Sequence, residues 1–82
     1  SDGPGALLGP DEVAVALSER IRSGARVGDH VMVVSDGFVL VDTATVVAVH
    51  DDRVMVAVDE QLAAGVAAAA LGPAGVAVLV RP

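Results

Sequence analysis

Apolar residues fall along this chain in short valine-rich runs with polar punctuation between them, and the spacing of that punctuation is the spacing of strands. "VAVAL", residues 13–17, is the first run, and "HVMVV", residues 30–34, is the second. The second is entered through a tight turn at Gly28-Asp29 and left through Asp36-Gly37. Asp-Gly between two apolar runs predicts a hairpin, because a primed turn needs positive φ and this pair supplies it at small steric cost. A third run goes from Phe38 towards Val49. Asp42, Thr43 and Thr45 interrupt its middle, which predicts a bulge or bend there. His50-Asp51-Asp52 makes the next turn, and "RVMVAV", residues 53–58, returns as a fourth strand.

"DEQLAAGVAAAALGP" then changes the period. Asp59 is placed to cap a helix, Glu60 and Gln61 suit its positive end, and the alanines carry it until Leu71-Gly72-Pro73 stops it. Leu62, Val66 and Ala69 or Ala70 share one helical face, so the helix is expected to lie on the sheet through them. Val76 to Val80 reads as a closing strand. Residues 18–23, with charge around Ile21, read as a turn or a single helical turn ended by Gly24. Residues 1–11, rich in Gly and Pro, read as a flexible lead-in or linker, leaving residues 12–82 as one β-rich domain. The fold class expected is α+β and mainly β: about five strands in a small curled sheet or partial, β-clip-like barrel, with one helix before the last strand.

At 82 residues the chain is close to the lower size at which one core suffices, and with no cysteine it has neither a disulfide nor a thiolate metal site. Burial must supply the stability, and 54% of the residues are hydrophobic. Phe38 is the only aromatic residue, so the core is built from small and β-branched side chains. Net charge is −6 and all five cations are arginines. That leaves too little positive charge and stacking surface to hold a phosphate backbone, which argues against nucleic acid as a partner. Leu62 to Val80 carries no charge and approaches membrane-spanning length, yet Gly72-Pro73-Ala74-Gly75 interrupts it and its second half turns valine-rich, as a strand would. "SDGPGALLGP" has neither the basic nor the apolar segment of a signal peptide, so for an exported protein the signal or anchor is expected upstream.

Candidate chemistry is sparse. Ser18, Ser23 and Ser35 lie outside any Gly-x-Ser-x-Gly elbow, and no lysine exists to serve as a base. His30 and His50, with Asp29, Asp51 and Asp52 beside them, are better read as strand-end histidines and solvated turn carboxylates, because adjacent strand residues point to opposite faces and do not converge on a metal. Gly24, Gly28 and Gly37 do not form a phosphate loop. No catalytic residue, metal or cofactor is expected. A saccharide site is poorly served by a single aromatic residue. The polar stretch Asp42, Thr43 and Thr45, together with Val76 and Val78 of the last strand, is the candidate interaction surface, since strands apolar on both faces with one helix to cover them leave apolar surface or an edge open.

Taken in order, "RVGDHVMVV", a hairpin, "VVAV", "VMVAVDEQLAAGVAAAALG" and "VAVLVRP" resemble the C-terminal domain of the Flp pilus assembly CpaB/RcpC family. In that family an Arg-Pro-Gly-Asp-Arg-Val-like turn leads into a strand, a Thr-Pro-Glu-Gln-like helix start follows a valine-rich strand, and an Arg-ended strand closes the domain. Arg26-Val27-Gly28-Asp29-His30-Val31 stands at the first motif, with Val27 in place of the proline. Asp59-Glu60-Gln61 stands at the second and Leu79-Val80-Arg81-Pro82 at the third. The resemblance covers roughly residues 12–82. It implies a non-catalytic assembly or scaffolding module of a Flp (Tad-type) pilus or related secretion apparatus. It also implies an extracytoplasmic location, a SAF domain preceding this one and a membrane anchor upstream. Partners would then be proteins of the pilus or secretion machine, or further copies of the chain itself. The rival readings are a SAF-like β-clip domain binding a small ligand or glycan, and an accessory domain of an enzyme.

Overall fold

The computed structural model describes residues 7–19 and 22–82. Five strands and one helix follow in chain order: β1 (Glu12–Ser18), β2 (His30–Ser35), β3 (Phe38–His50), β4 (Arg53–Asp59), α1 (Glu60–Leu71) and β5 (Ala77–Val80). The strands form a single antiparallel sheet in the order β1-β4-β3-β2-β5. The sheet is not closed, so β1 and β5 are its two edges. This is the small, mainly β, α+β fold that the spacing of apolar runs predicts. The expected turn around Ile21 falls outside the described residues, as does most of the expected lead-in. Of the lead-in's described part, Gly9 accepts a bond from the Glu12 N–H, and the Asp11 carbonyl accepts one from Glu60.

Turn chemistry fixes the hairpins. Asp36 and Gly37 both have positive φ, 51° and 82°, the combination a type I′ turn requires, and Ser35 pairs with Phe38 across it. Asp51, at φ 52°, reverses the chain between His50 and Arg53. The turn before β2 runs from Arg26 to Asp29, closed by the Asp29 N–H on the Arg26 carbonyl (2.9 Å), with Gly28 at φ 94°. It therefore turns on Val27-Gly28, one residue earlier than Gly28-Asp29.

The long third strand is bent where its polar residues sit. Between Val31 and Val33 of β2, β3 advances from Ala44 to Val41, so one extra residue is accommodated at Asp42-Thr43. A second irregularity lies at Leu40, since Val33 and Val34 pair with Val41 and Val39. A third faces β4, where Val46 and Ala48 pair with the adjacent Val56 and Met55. Its extra residue is Val47, and Val46 and Val47 are consequently both buried, which a regular strand of period two forbids.

The core is a sheet of valines. Lateral pairs Val13–Val58, Val15–Val56 and Leu17–Val54 lie on one face, and Val31, Val33, Val46, Val54, Val56 and Val58 are fully buried there with Leu17. Each such valine contributes about 1.5 kcal/mol or more through loss of apolar surface to water. Ala25, from the segment before β2, and Val66, from α1, join the same cluster. No polar side chain is buried among the described residues.

The helix is capped as expected: the Asp59 carboxylate accepts from the Gln61 N–H at 2.8 Å. It ends at Gly72, which is extended (φ −79°, ψ 170°) because Pro73 disfavours helical backbone in the residue before it. Its seating differs from expectation. Val66 is the only buried residue of α1, Ala70 packs against the core and Leu62 is 46% exposed. The alanines allow a close approach along a narrow stripe, and that stripe leaves Leu62 at its margin.

Candidate functional site

The hydrogen-bond parity of each edge strand shows which main-chain groups it presents outward. In an antiparallel ladder alternate residues bond to the neighbour, and the rest point away. At one end of β1 the Glu19 N–H donates to the Asp52 carbonyl (2.8 Å); at the other the Glu60 N–H donates to the Asp11 carbonyl (2.9 Å). With the register Glu12–Asp59 to Ser18–Arg53, the odd-numbered residues of β1 therefore bond to β4. Glu12, Ala14, Ala16 and Ser18 turn their N–H and C=O groups to the open side. On β5 the Arg81 N–H donates to the His30 carbonyl (2.8 Å), which leaves the groups of Val78 and Val80 outward.

Sheet edges are ordinarily blunted by charge, proline, bulges or shortness. β5 is short, at four residues. β1 has seven residues in unbroken register, with no charge or proline between Glu12 and Ser18. Beside it runs an apolar groove of about 520 Å³, floored by Ala14, Val15 and Ala16 and walled by Ala63, Ala64, Ala67, Ala70 and Leu71 of α1. Leu71 is 89% exposed at its rim. A strand edge beside a helix wall made mostly of alanine is the geometry into which an extended segment fits, with main-chain bonds on one side and shallow apolar contact on the other.

The residues expected to form the interaction surface divide. Asp42 and Thr43 are exposed at the bulge. There Arg81 grips Asp42 twice: Nε donates to its carbonyl at 2.9 Å and an Nη to its carboxylate at 2.7 Å. Thr45 is half-buried opposite His30. Val78 is not surface. It pairs with Val33 on the core face and is buried, and Val76 packs against the same cluster. The apolar side chains that β5 shows to solvent are Leu79 and Val80 instead. Alternation separates buried Val78 from exposed Ala77 and Leu79, whereas Val80 shares the parity of Val78 and is exposed as the last residue of the edge strand; in a run apolar at every position the sequence carries no mark of which parity faces in. Of the turn residues, Gly28, Asp29, Asp36 and Gly37 hold the entrance and exit of β2, and Gly72 and Pro73 end α1.

Further apolar exposure lies at the hairpin tip, where Phe38 and Val39 are 70% and 56% exposed. A smaller groove of about 210 Å³ lies between Leu40 and Leu62.

Two of the candidate serine hydroxyls are engaged structurally: Ser35 donates to the Gly75 carbonyl at 2.5 Å and the Ser23 hydroxyl accepts from the Ala25 N–H at 3.2 Å. His30 and His50 are exposed at strand ends, and no group of three or more His, Asp or Glu side chains placed to hold a metal occurs among the described residues. No helix is long and apolar enough to cross a membrane among those residues. Asp29 serves the turn before β2: its carboxylate accepts from the Arg26 N–H at 2.9 Å and its carbonyl from the Val46 N–H at 2.9 Å. The open edge of β1 has no mark in the sequence, because the alternation of "EVAVALS" shows which side chains share a face and not which main-chain groups lack a neighbour. No family model, no curated protein and no solved structure matches this chain.

Proposed function

We propose that this domain is a non-catalytic, extracytoplasmic assembly module of a Flp (Tad-type) pilus or related secretion apparatus, held to the membrane by a segment upstream and working through protein contacts. The observation that carries the reading is the open, uncharged edge of β1 beside the alanine-walled groove. An edge of that kind is satisfied by another polypeptide strand. The order of the three motifs, ending at Arg81 after the strand that follows the helix, supports the choice of family. Exposed Phe38, Leu62 and Leu71 add apolar surface that association would cover.

The test is genetic and biochemical together. In the host, removal of the codons for residues 12–82 from the full-length gene is expected to abolish surface pili while the truncated protein stays at the membrane. Normal piliation with the domain removed would contradict the reading.

A further inference from the structure

The open edge of β1 is stopped at one end and flanked by carboxylates at both. At its start the outward Glu12 N–H donates to the Gly9 carbonyl (3.2 Å), and the Glu12 carboxylate accepts from the Gly9 N–H (2.7 Å). Gly9 thus fills the place beside Glu12, and the main-chain groups left open are those of Ala14, Ala16 and Ser18. The odd-numbered residues of β1 share the core face, over which α1 lies, and one further rung continues the ladder at each end. Those rungs set Asp11 with Glu60 and Glu19 with Asp52, so the core-side face of the edge ends in carboxylates both ways. The carboxylates of Glu12, Glu19 and Asp59 accept from the N–H groups of Gly9, Ser23 and Gln61, which are neutral donors and leave the negative charge in place. Arg53 is exposed in the row of Ser18, on the opposite face. Among the described residues the one ion pair is Arg81 with Asp42, on the β5 side of the sheet.

We infer that the β1 edge takes an extended segment of a different protein, with apolar side chains at alternate positions and a lysine or arginine at each end. This rests on the assembly reading above and names the chemistry of the partner. Ala14, Ala16 and Ser18 offer such a segment about six main-chain hydrogen bonds. Its side chains beside Val13, Val15 and Leu17 share their face and enter the groove against α1, where the alanine wall leaves about 520 Å³ for branched apolar groups. The next place on that face puts a cation in row with Glu19 and Asp52. At the Gly9 end, the residue that follows the one beside Val13 lies among Asp11, Glu12, Asp59 and Glu60. The same charges oppose a second copy: β1 paired with itself about Val15 sets Asp11 against Glu19, in line with Glu60 and Asp52, four carboxylates at each end of the seam. Nor does this chain carry the pattern, since it has no lysine and no two of its five arginines stand seven residues apart, the spacing that the two ends require.

Calorimetric titration of the whole chain with two synthetic peptides tests this. One is acetyl-Lys-Thr-Val-Thr-Val-Thr-Val-Lys-amide, and the other has Glu in place of both Lys. At low salt the chain is expected to bind the Lys-ended peptide about tenfold or more tightly than the Glu-ended one, with the preference shrinking as salt is added. Ala16→Pro removes an open N–H and no bond to β4, and is expected to weaken the Lys-ended peptide by about tenfold or more, with circular dichroism unchanged. Asp52→Lys with Glu60→Lys, both exposed, is expected to narrow the preference to about threefold or less and serves if Ala16→Pro unfolds. Failure of the Lys-ended peptide to bind, equal binding of the two peptides, or indifference to these variants would overturn the inference. So would a dimer of the parent chain, seen by sedimentation and lost with Ala16→Pro, because a second copy would then fill the edge. These results leave the piliation experiment free to succeed, and normal piliation without the domain leaves the peptide measurement standing.

Discussion

Arg81, one residue beyond the last strand, reaches across β2 to hold Asp42 at the bulge of β3, bonding its carbonyl at 2.9 Å and its carboxylate at 2.7 Å. The two side chains are 37% and 81% exposed, so the ion pair itself is screened by water. The bond to the carbonyl is what ties the bulge to the edge strand. Arg81→Ala is expected to cost about 1 kcal/mol in urea unfolding, whereas Asp42→Ala, which keeps the carbonyl, costs about half as much or less and removes the salt dependence. Equal losses would show that the carboxylate carries the contact.

The turn from Arg26 to Asp29 is held by N–H groups of Arg26, Gly28 and Asp29, and that of Val27 takes no part. Proline is favoured at the second position of a turn whose third residue has positive φ. Val27→Pro is therefore expected to raise stability by about 0.5 kcal/mol, chiefly by restricting the unfolded chain, with a matching rise in melting temperature. Destabilisation would show that Val27 lies outside the proline φ range.

Val66 is the one buried side chain of α1, being 1% exposed where Leu62 is 46% and Leu71 is 89% exposed. Val66→Ala is expected to cost about 2 kcal/mol in thermal or urea melts. Leu62→Ala and Leu71→Ala are expected to change the monomer's stability by about 0.5 kcal/mol or less, with alanine's helix propensity offsetting the small loss of contact.

Strand boundaries and turns were legible in the sequence because they depend on local chemistry: Asp36-Gly37 for positive φ, Asp59 for the cap, Pro73 for the stop. The bulge at Asp42-Thr43 was legible because polar residues interrupt an apolar strand. The bulge at Val47 was not, since "TVVAV" is apolar whichever way each residue faces. The same degeneracy hid the burial of Val78 and the exposure of Leu79. The candidate site was legible only as the need for an open edge. Which edge, and which parity of "EVAVALS" faces out, depends on pairing with β4, a contact between residues some forty positions apart in the chain.

Ala16 turns its N–H to the open side of β1, so proline there removes an edge donor and no bond to β4. Val80 holds the matching place on the opposite edge, with its N–H turned away from β2. The measurement is surface piliation of cells whose full-length protein carries Ala16→Pro or Val80→Pro, at equal protein level. Loss of pili with Ala16→Pro and normal piliation with Val80→Pro is the predicted result; loss with Val80→Pro alone, or with neither, would contradict assembly through the β1 edge.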